Sequence, residues 1–172
     1  MITIQRHGRG YLLETGVLLP RRREEIFPFF ADARNLEELT PSYLRFEIVT
    51  PPPIEMAEGC IIDYRLKVHG IPLKWKTEIT AWEPSERFKD EARRSPYRWW
   101  RHEHRFEERD GGTWCTDRVE YAVPGGPLIH TLFVKRDVRR IFEFRQQKLL
   151  ALFGSTGETQ AFGAEAAQAL IS

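Results

Sequence analysis

The chain reads as an α+β domain. An antiparallel sheet of about seven strands, apolar on one face, lies under one long C-terminal helix, with two short helices after the first strand. Three observations predict this. Segments between residues 60 and 121 alternate apolar and charged residues with the period of two that a half-buried strand shows. They are separated by turn-forming groups, His69-Gly70, Glu83-Pro84-Ser85-Glu86 and Asp110-Gly111-Gly112. From about residue 129 to 153 the apolar residues recur at three- and four-residue steps instead, and a helix with one apolar stripe needs a sheet face to cover.

Residues 10–19 (GYLLETGVLL) are apolar enough for a first strand, which Pro20 closes. A helix follows from Arg21, with Ile26, Phe27, Phe29 and Phe30 as its stripe, and Pro28 inside it predicts a break or kink. A second short helix over residues 33–39 carries Leu36 and Leu39 and ends at Thr40-Pro41. Phe46 opens the next strand, and Pro51-Pro52-Pro53 is a stiff connection.

Around His69-Gly70, pairing Val68 with Ile71 sets Leu66 opposite Leu73, Tyr64 opposite Trp75 and Ile62 opposite Thr77. Across the next turn Ala81 is expected opposite Phe88, Ile79 opposite Asp90 and Thr77 opposite Ala92. Lys74, Lys76, Glu78, Arg87, Lys89, Glu91 and Arg93 take the other face.

The segment 99–121 is the organising hairpin. Trp100, His102, His104 and Phe106 share one face, with Arg101, Glu103, Arg105 and Glu107 on the other. The return strand adds Cys115, Asp117, Val119 and Tyr121 to the uncharged set. Pairing Arg109 with Gly112 sets His104 directly opposite Asp117. Pairing Asp110 with Thr113 moves Asp117 opposite Phe106, with His104 diagonal to it and still within about 8 Å.

The helix stripe is Ile129, Leu132, Phe133, Val138, Ile141, Phe142, Leu149 and Phe153. Lys135, Arg136, Arg139, Arg140 and Lys148 form its polar face, and Gly154 is its stop. Residues 1–154 are thus expected to form a single domain, with residues 155–172 as a loose tail.

At 172 residues the chain can bury a real core, and its net charge of +1 supplies no drive towards nucleic acid or an anionic membrane. No apolar run approaches the roughly 20 residues of a membrane span, and the first residues lack a signal peptide's apolar centre. Cys60 and Cys115 are too few for a disulfide scaffold and fall on inward strand positions, so buried free thiols in a reducing cytoplasm are expected.

Four stretches carry a resemblance: Thr40-Pro41-Ser42-Tyr43-Leu44-Arg45-Phe46, His69-Gly70-Ile71-Pro72-Leu73-Lys74-Trp75, Trp100-Arg101-His102-Glu103-His104-Arg105-Phe106, and Asp117-Arg118-Val119-Glu120-Tyr121 with Pro124 and Gly126. Over roughly residues 10–153 the chain resembles the bacterial SRPBCC ligand-binding proteins, relatives of the polyketide cyclase/dehydrase and birch-pollen allergen group. The resemblance implies a START-like helix-grip fold, in which a curved sheet grips the long helix and leaves a cavity between them. Members range from lipid carriers to aromatases, so it leaves the activity open.

The residues agree that the apolar face is where function is to be sought. It also holds Thr77, Asp90, His102, His104 and Asp117. A solid core seldom holds so many polar groups, because each one left without a partner costs about 1–3 kcal/mol. A mostly apolar pocket with a few convergent polar groups is what small-molecule sites look like. Tyr64, Leu66, Trp75, Phe88, Trp100, Tyr121 and Phe142 would line it, with Thr77, Asp90, His102, His104 and Asp117 fixing a ligand's polar end.

The spacing His102-x-His104 is one used in metal sites, with Asp117 or Asp90 as a third ligand. A hydrogen-bonded histidine–aspartate network explains the pattern as well, and no metal and no cofactor are expected. The same group could do acid–base work. Arg136, Arg139 and Arg140 with Lys135 read as a solvated helix face, since no base-stacking aromatics interleave there. Trp99 and Trp114 mark a partner surface or shield arginines such as Arg101 and Arg118. Without a Gly-rich phosphate loop, a Gly-x-Ser-x-Gly elbow or a Cys-x-x-Cys pair, nucleophilic catalysis is not expected.

The expected function is binding of a small, mostly apolar molecule of lipid, polyketide or aromatic type. One alternative is a cyclase/dehydratase-type enzyme, a lyase or isomerase without metal, using His102, His104, Asp117 and Asp90. Another is a protein-interaction or regulatory module with a vestigial cavity. The expected partner is the ligand itself, with no nucleic acid and no integral membrane association; a homodimer stays open.

Overall fold

A computed structural model of the chain describes residues 1–154, and the expected tail lies outside them. One curved, open antiparallel sheet has the strand order β1-β2-β8-β7-β6-β5-β4-β3. Its strands are β1 (Thr3–His7), β2 (Gly10–Leu19), β3 (Glu47–Ile48), β4 (Ile61–Val68), β5 (Ile71–Glu83), β6 (Arg87–Arg94), β7 (Trp99–Arg109) and β8 (Gly112–Ala122). Helices α1 (Arg23–Phe30) and α2 (Asn35–Glu38) follow β2, and α3 (Gly126–Ile129) leads through a π-helical turn (His130–Val134) into α4 (Lys135–Phe153). This is the helix-grip architecture, with eight strands rather than about seven. The extra strand, β1, is an exposed edge whose side chains lack the apolar alternation that marks the others.

The β4–β5 register is as expected, from Val68 opposite Ile71 to Ile62 opposite Thr77. The next hairpin departs from expectation. Ile79 faces Asp90 and Thr77 faces Ala92, but Ala81 faces Lys89, and Phe88 is opposite Trp82. A register shift between Ile79 and Ala81 adds one residue to β5. It turns Trp82 to the inner face, where its ring lies 5.3 Å from Phe27 and 5.4 Å from Phe88. Aromatic burial there outweighs regular pairing.

In the central hairpin Arg109 pairs with Gly112, so His104 faces Asp117. Gly112 is the position the turn cannot vary. With φ of 145°, it lies so close to β2 that an added Cβ would stand 2.0 Å from the Leu19 carbonyl oxygen. On the charged face Trp114 lies over Gly16, where an added Cβ would meet its ring at 2.4 Å. The guanidinium on that ring belongs to Arg109, 4.8 Å from its centre, and not to Arg118.

α1 runs on through solvent-facing Pro28 to Phe30, so no break occurs there. The expected helix stripe holds for α4, where Val138, Phe142 and Leu149 are buried. It fails upstream, where Ile129, Leu132 and Phe133 are exposed. The π turn widens the helix by one residue and rotates everything before Lys135, so that His130 takes the inward place. Gly154 ends α4 in the right-handed region, its N–H donating to the Leu150 carbonyl. Cys115 is buried and Cys60, one residue before β4, half-buried; both are free.

Two apolar clusters form the core. One joins α1 to the sheet through Leu19, Phe27, Phe30, Phe88 and Phe106, with Leu149 from α4. The other joins β2 and β8 to α4 through Leu13, Val119, Tyr121, Val138 and Phe142. His130 seals the second. Its ring stacks on Tyr11 at 3.3 Å, and its Nε2 shares a 2.9 Å hydrogen bond with the Tyr121 hydroxyl.

Burial, reinforced by Lys135 and Arg6, pushes the His130 imidazole from 6.5 down to about 4. A folded-state value below the free one means the contribution to stability is present above pH 6.5 and is lost as pH falls towards 4. His130→Gln, measured by thermal unfolding across that window, is therefore expected to show a shallower fall in Tm than the unsubstituted protein. Parallel curves would refute the assignment.

Candidate functional site

Five side chains from four elements meet in one buried corner. β6 brings Asp90, β7 brings His102 and His104 on one face, β8 brings Asp117 and α4 brings Arg145. His102 Nε2 donates to Asp117 Oδ1 at 2.9 Å, and His104 Nε2 donates to Asp90 Oδ2 at 2.9 Å. Arg145 Nε donates to Asp117 Oδ2 at 3.1 Å, and its Nη2 donates to His104 Nδ1 at 3.1 Å. An acceptor Nδ1 places the His104 ring proton on Nε2.

The rings have little freedom. His104 stacks on Phe88 at 4.0 Å, and His102 meets the edge of Phe142 at 5.4 Å. The two imidazoles lie 3.7 Å apart, centre to centre. Arg145 lies over the Phe30 ring at 5.4 Å. Among the described residues every buried side-chain nitrogen and oxygen has a partner.

Electrostatics divides the roles. Burial alone would raise the Asp117 carboxyl, but Arg145 and the two histidines outweigh it and hold it well below the usual carboxylate range. Burial, with His104 alongside, pushes His102 down. Asp117 is thus a fixed anion that orients the rings, while Asp90 and the imidazoles face open space. Asp90, His102 and His104 also offer three donor atoms within 4.8 Å of one another, which is the set that could hold a metal ion.

That space is a cavity of about 660 Å³ between the sheet, α1, α2 and α4. Tyr64, Leu66, Trp75, Thr77, Phe88, Asp90, Trp100, His102, His104 and Phe142 line it. Asp117 and Tyr121, also expected there, stand behind the wall. Asp117 has both oxygens engaged, and Tyr121 is 0% exposed with its hydroxyl on His130. The Thr77 hydroxyl accepts from Trp75 Nε1 at 3.0 Å and bonds the Tyr64 hydroxyl at 2.7 Å, which satisfies the polar ends of both aromatic side chains. Exposed Tyr43, His69 and Arg140 mark its mouth, and His69 Nε2 there lies 2.7 Å from Asp137 Oδ2.

Arg145 is the residue that reading the sequence missed. It sits three residues after Phe142 and four before Leu149, inside the apolar stripe, where a charge needs a buried partner. Removing it strands Asp117. Arg145→Ala is expected to cost about 3–5 kcal/mol in urea unfolding, and the double change with Asp117→Asn less than the sum of the singles. A loss under about 1 kcal/mol for Arg145→Ala would show that the pair does not anchor the helix.

Comparison with known proteins agrees with this architecture. Protein CV1439 from Chromobacterium violaceum superposes with a TM-score of 0.66 at 13% identity, covering 84% of this chain and 98% of that one. Ms6760 from Mycobacterium smegmatis gives 0.63 at 18% identity, covering 88% and 97%. The nucleoside-diphosphate sugar epimerase from Corynebacterium glutamicum gives 0.60 at 23% identity, covering 80% of this chain and 28% of that protein. At such identities the likeness is one of fold. No curated protein matches the chain. The model of the family described as polyketide cyclase / dehydrase and lipid transport matches residues 19–148, and the chain belongs to that family.

Proposed function

We propose that the protein binds a small, mostly apolar molecule between the sheet and α4. The observation that carries this is the cavity: about 660 Å³, walled by aromatic and aliphatic side chains, with its charged groups gathered mainly in one corner and at the mouth. Tyr64, Trp75, Phe88 and Trp100 offer ring surface to a flat or acyl body. Asp90, His102 and His104 fix the polar end. A cavity of this size speaks against a purely interaction-based role with a vestigial pocket. Among the described residues no helix is long and apolar enough to cross a membrane.

Native mass spectrometry of freshly purified protein is expected to show a bound small molecule, and the stripped protein to enhance the fluorescence of an apolar dye. Leu66→Trp, which fills the space from β4, should lower dye affinity at least about tenfold without changing the circular dichroism spectrum. Undiminished binding by that variant would move the site elsewhere.

A second reading, favoured by the His104–Asp90 hydrogen bond facing the cavity, is proton transfer to or from the guest in a cyclase or dehydratase reaction. The molecule that copurifies with His104→Ala should then differ in mass or chromatographic mobility from that carried by the unsubstituted protein. The same molecule in both excludes turnover by His104.

A further inference from the structure

We propose that Asp90, His102 and His104 form a site for one divalent first-row transition-metal ion at the cavity wall, oriented by Asp117 from behind, with Arg145 fixing Asp117. This does not depend on the apolar-ligand reading.

The first argument is distance. Asp90 pairs directly with His102 across β6 and β7, and Phe88 with His104, so one carboxylate reaches both imidazoles. Asp90 Oδ2 lies 2.9 Å from His104 Nε2 and 3.7 Å from His102 Nδ1. An ion with bonds of about 2.0–2.2 Å in tetrahedral array holds its donors about 3.4 Å apart. The two observed separations straddle that value.

The second argument is which nitrogens face which acid. The other nitrogen of each ring turns away from Asp90 to a single oxygen, with His102 Nε2 2.9 Å and His104 Nδ1 3.2 Å from Asp117 Oδ1. Metal-binding imidazoles ordinarily give their second N–H to a carboxylate, which fixes ring orientation. Here one carboxylate oxygen accepts from His102 and lies within reach of His104 Nδ1, which Arg145 Nη2 contacts, and Arg145 Nε on its second oxygen holds it in place. A hydrogen-bonded pair built only for proton transfer needs one such ring.

The third argument is access. Asp90, His102 and His104 line the cavity, whereas Asp117 stands behind them. Three protein donors and an open side are the arrangement of metal sites that take water or substrate in the fourth position. Two imidazoles and one carboxylate suit zinc or ferrous iron rather than calcium or magnesium, which prefer oxygen alone. Loading conserves protons. The proton on His104 Nε2 moves to Nδ1 and donates to Asp117 Oδ1, the ion takes its place beside Asp90, and Arg145 Nη2 gives up its contact with Nδ1.

The test uses the full chain stripped with a chelator. Cobalt(II) titration followed by visible absorption, and zinc(II) titration by calorimetry, should each give one ion per chain without thiolate charge-transfer bands. Asp90→Asn and His104→Gln, close in shape to the originals, should each weaken uptake more than about 100-fold. Asp117→Asn should weaken it about 10–100-fold, as loss of an orienting carboxylate does. No uptake by the stripped protein, or uptake unchanged in both Asp90→Asn and His104→Gln, overturns the site. Apolar dye binding measured on the same samples keeps that outcome separate from failure of the ligand reading.

Discussion

The ion pair between Asp117 and Arg145 is the contact on which the other arrangements rest. It joins the middle of β8 to the buried stripe of α4, both partners being less than a tenth exposed. Taking two charges out of water is costly, and a pair of this kind is weak grounds for claiming net stability. Its value lies in specificity. An apolar stripe alone tolerates a helix that slides or rolls, because leucine and phenylalanine accept many neighbours. A guanidinium whose partner carboxylate is behind the wall has one acceptable position. Gln146, next in sequence, strengthens the register by donating to Thr15 Oγ1 at 2.6 Å and to the Gly16 carbonyl at 2.9 Å.

The cavity follows from that placement. α4 is held over the β2–β8 side of the sheet, while the curve carries β4, β5 and β6 away from it. The wall of the space between does not rest on aliphatic chains alone. Instead Trp75 stands edge-on to Trp100 at 5.6 Å and parallel to Tyr64 at 6.1 Å, and Thr77 satisfies the indole N–H. These rings brace one another through edge-on and parallel contacts.

Much of this was legible in the chain because period and turn chemistry act locally. The register of β4 with β5 and the inward set of Asp90, His102 and His104 follow from alternation around His69-Gly70 and along residues 99–121. Choosing between the two registers at Asp110-Gly111-Gly112 required the contact of Gly112 with Leu19, which lies nearly a hundred residues away in the chain. The bulge that admits Trp82 and the π turn that exposes Leu132 and Phe133 were hidden for a related reason. Each breaks a regular pattern in favour of packing against a distant element. Arg145 was legible in principle, as a charge inside an apolar stripe, and only the counter-charge on β8 gives it meaning.

The remaining question is the sign of what the corner accepts. Asp90 and Asp117 carry two formal negative charges and Arg145 one positive, and Arg145 divides its donors between Asp117 and His104. Of the two carboxylates Asp90 is the one that lines the cavity, beside the two imidazoles and the Arg145 side chain. Charges shielded from water interact more strongly than charges at a surface. For the guest we propose, a terminal carboxylate placed at Asp90 would face a like charge. A terminal hydroxyl or amine would donate to that carboxylate instead, and the proposed ion would neutralise it. In the binding role we propose, the corner would select by charge and the aromatic wall by shape, the two criteria acting on opposite ends of the same molecule.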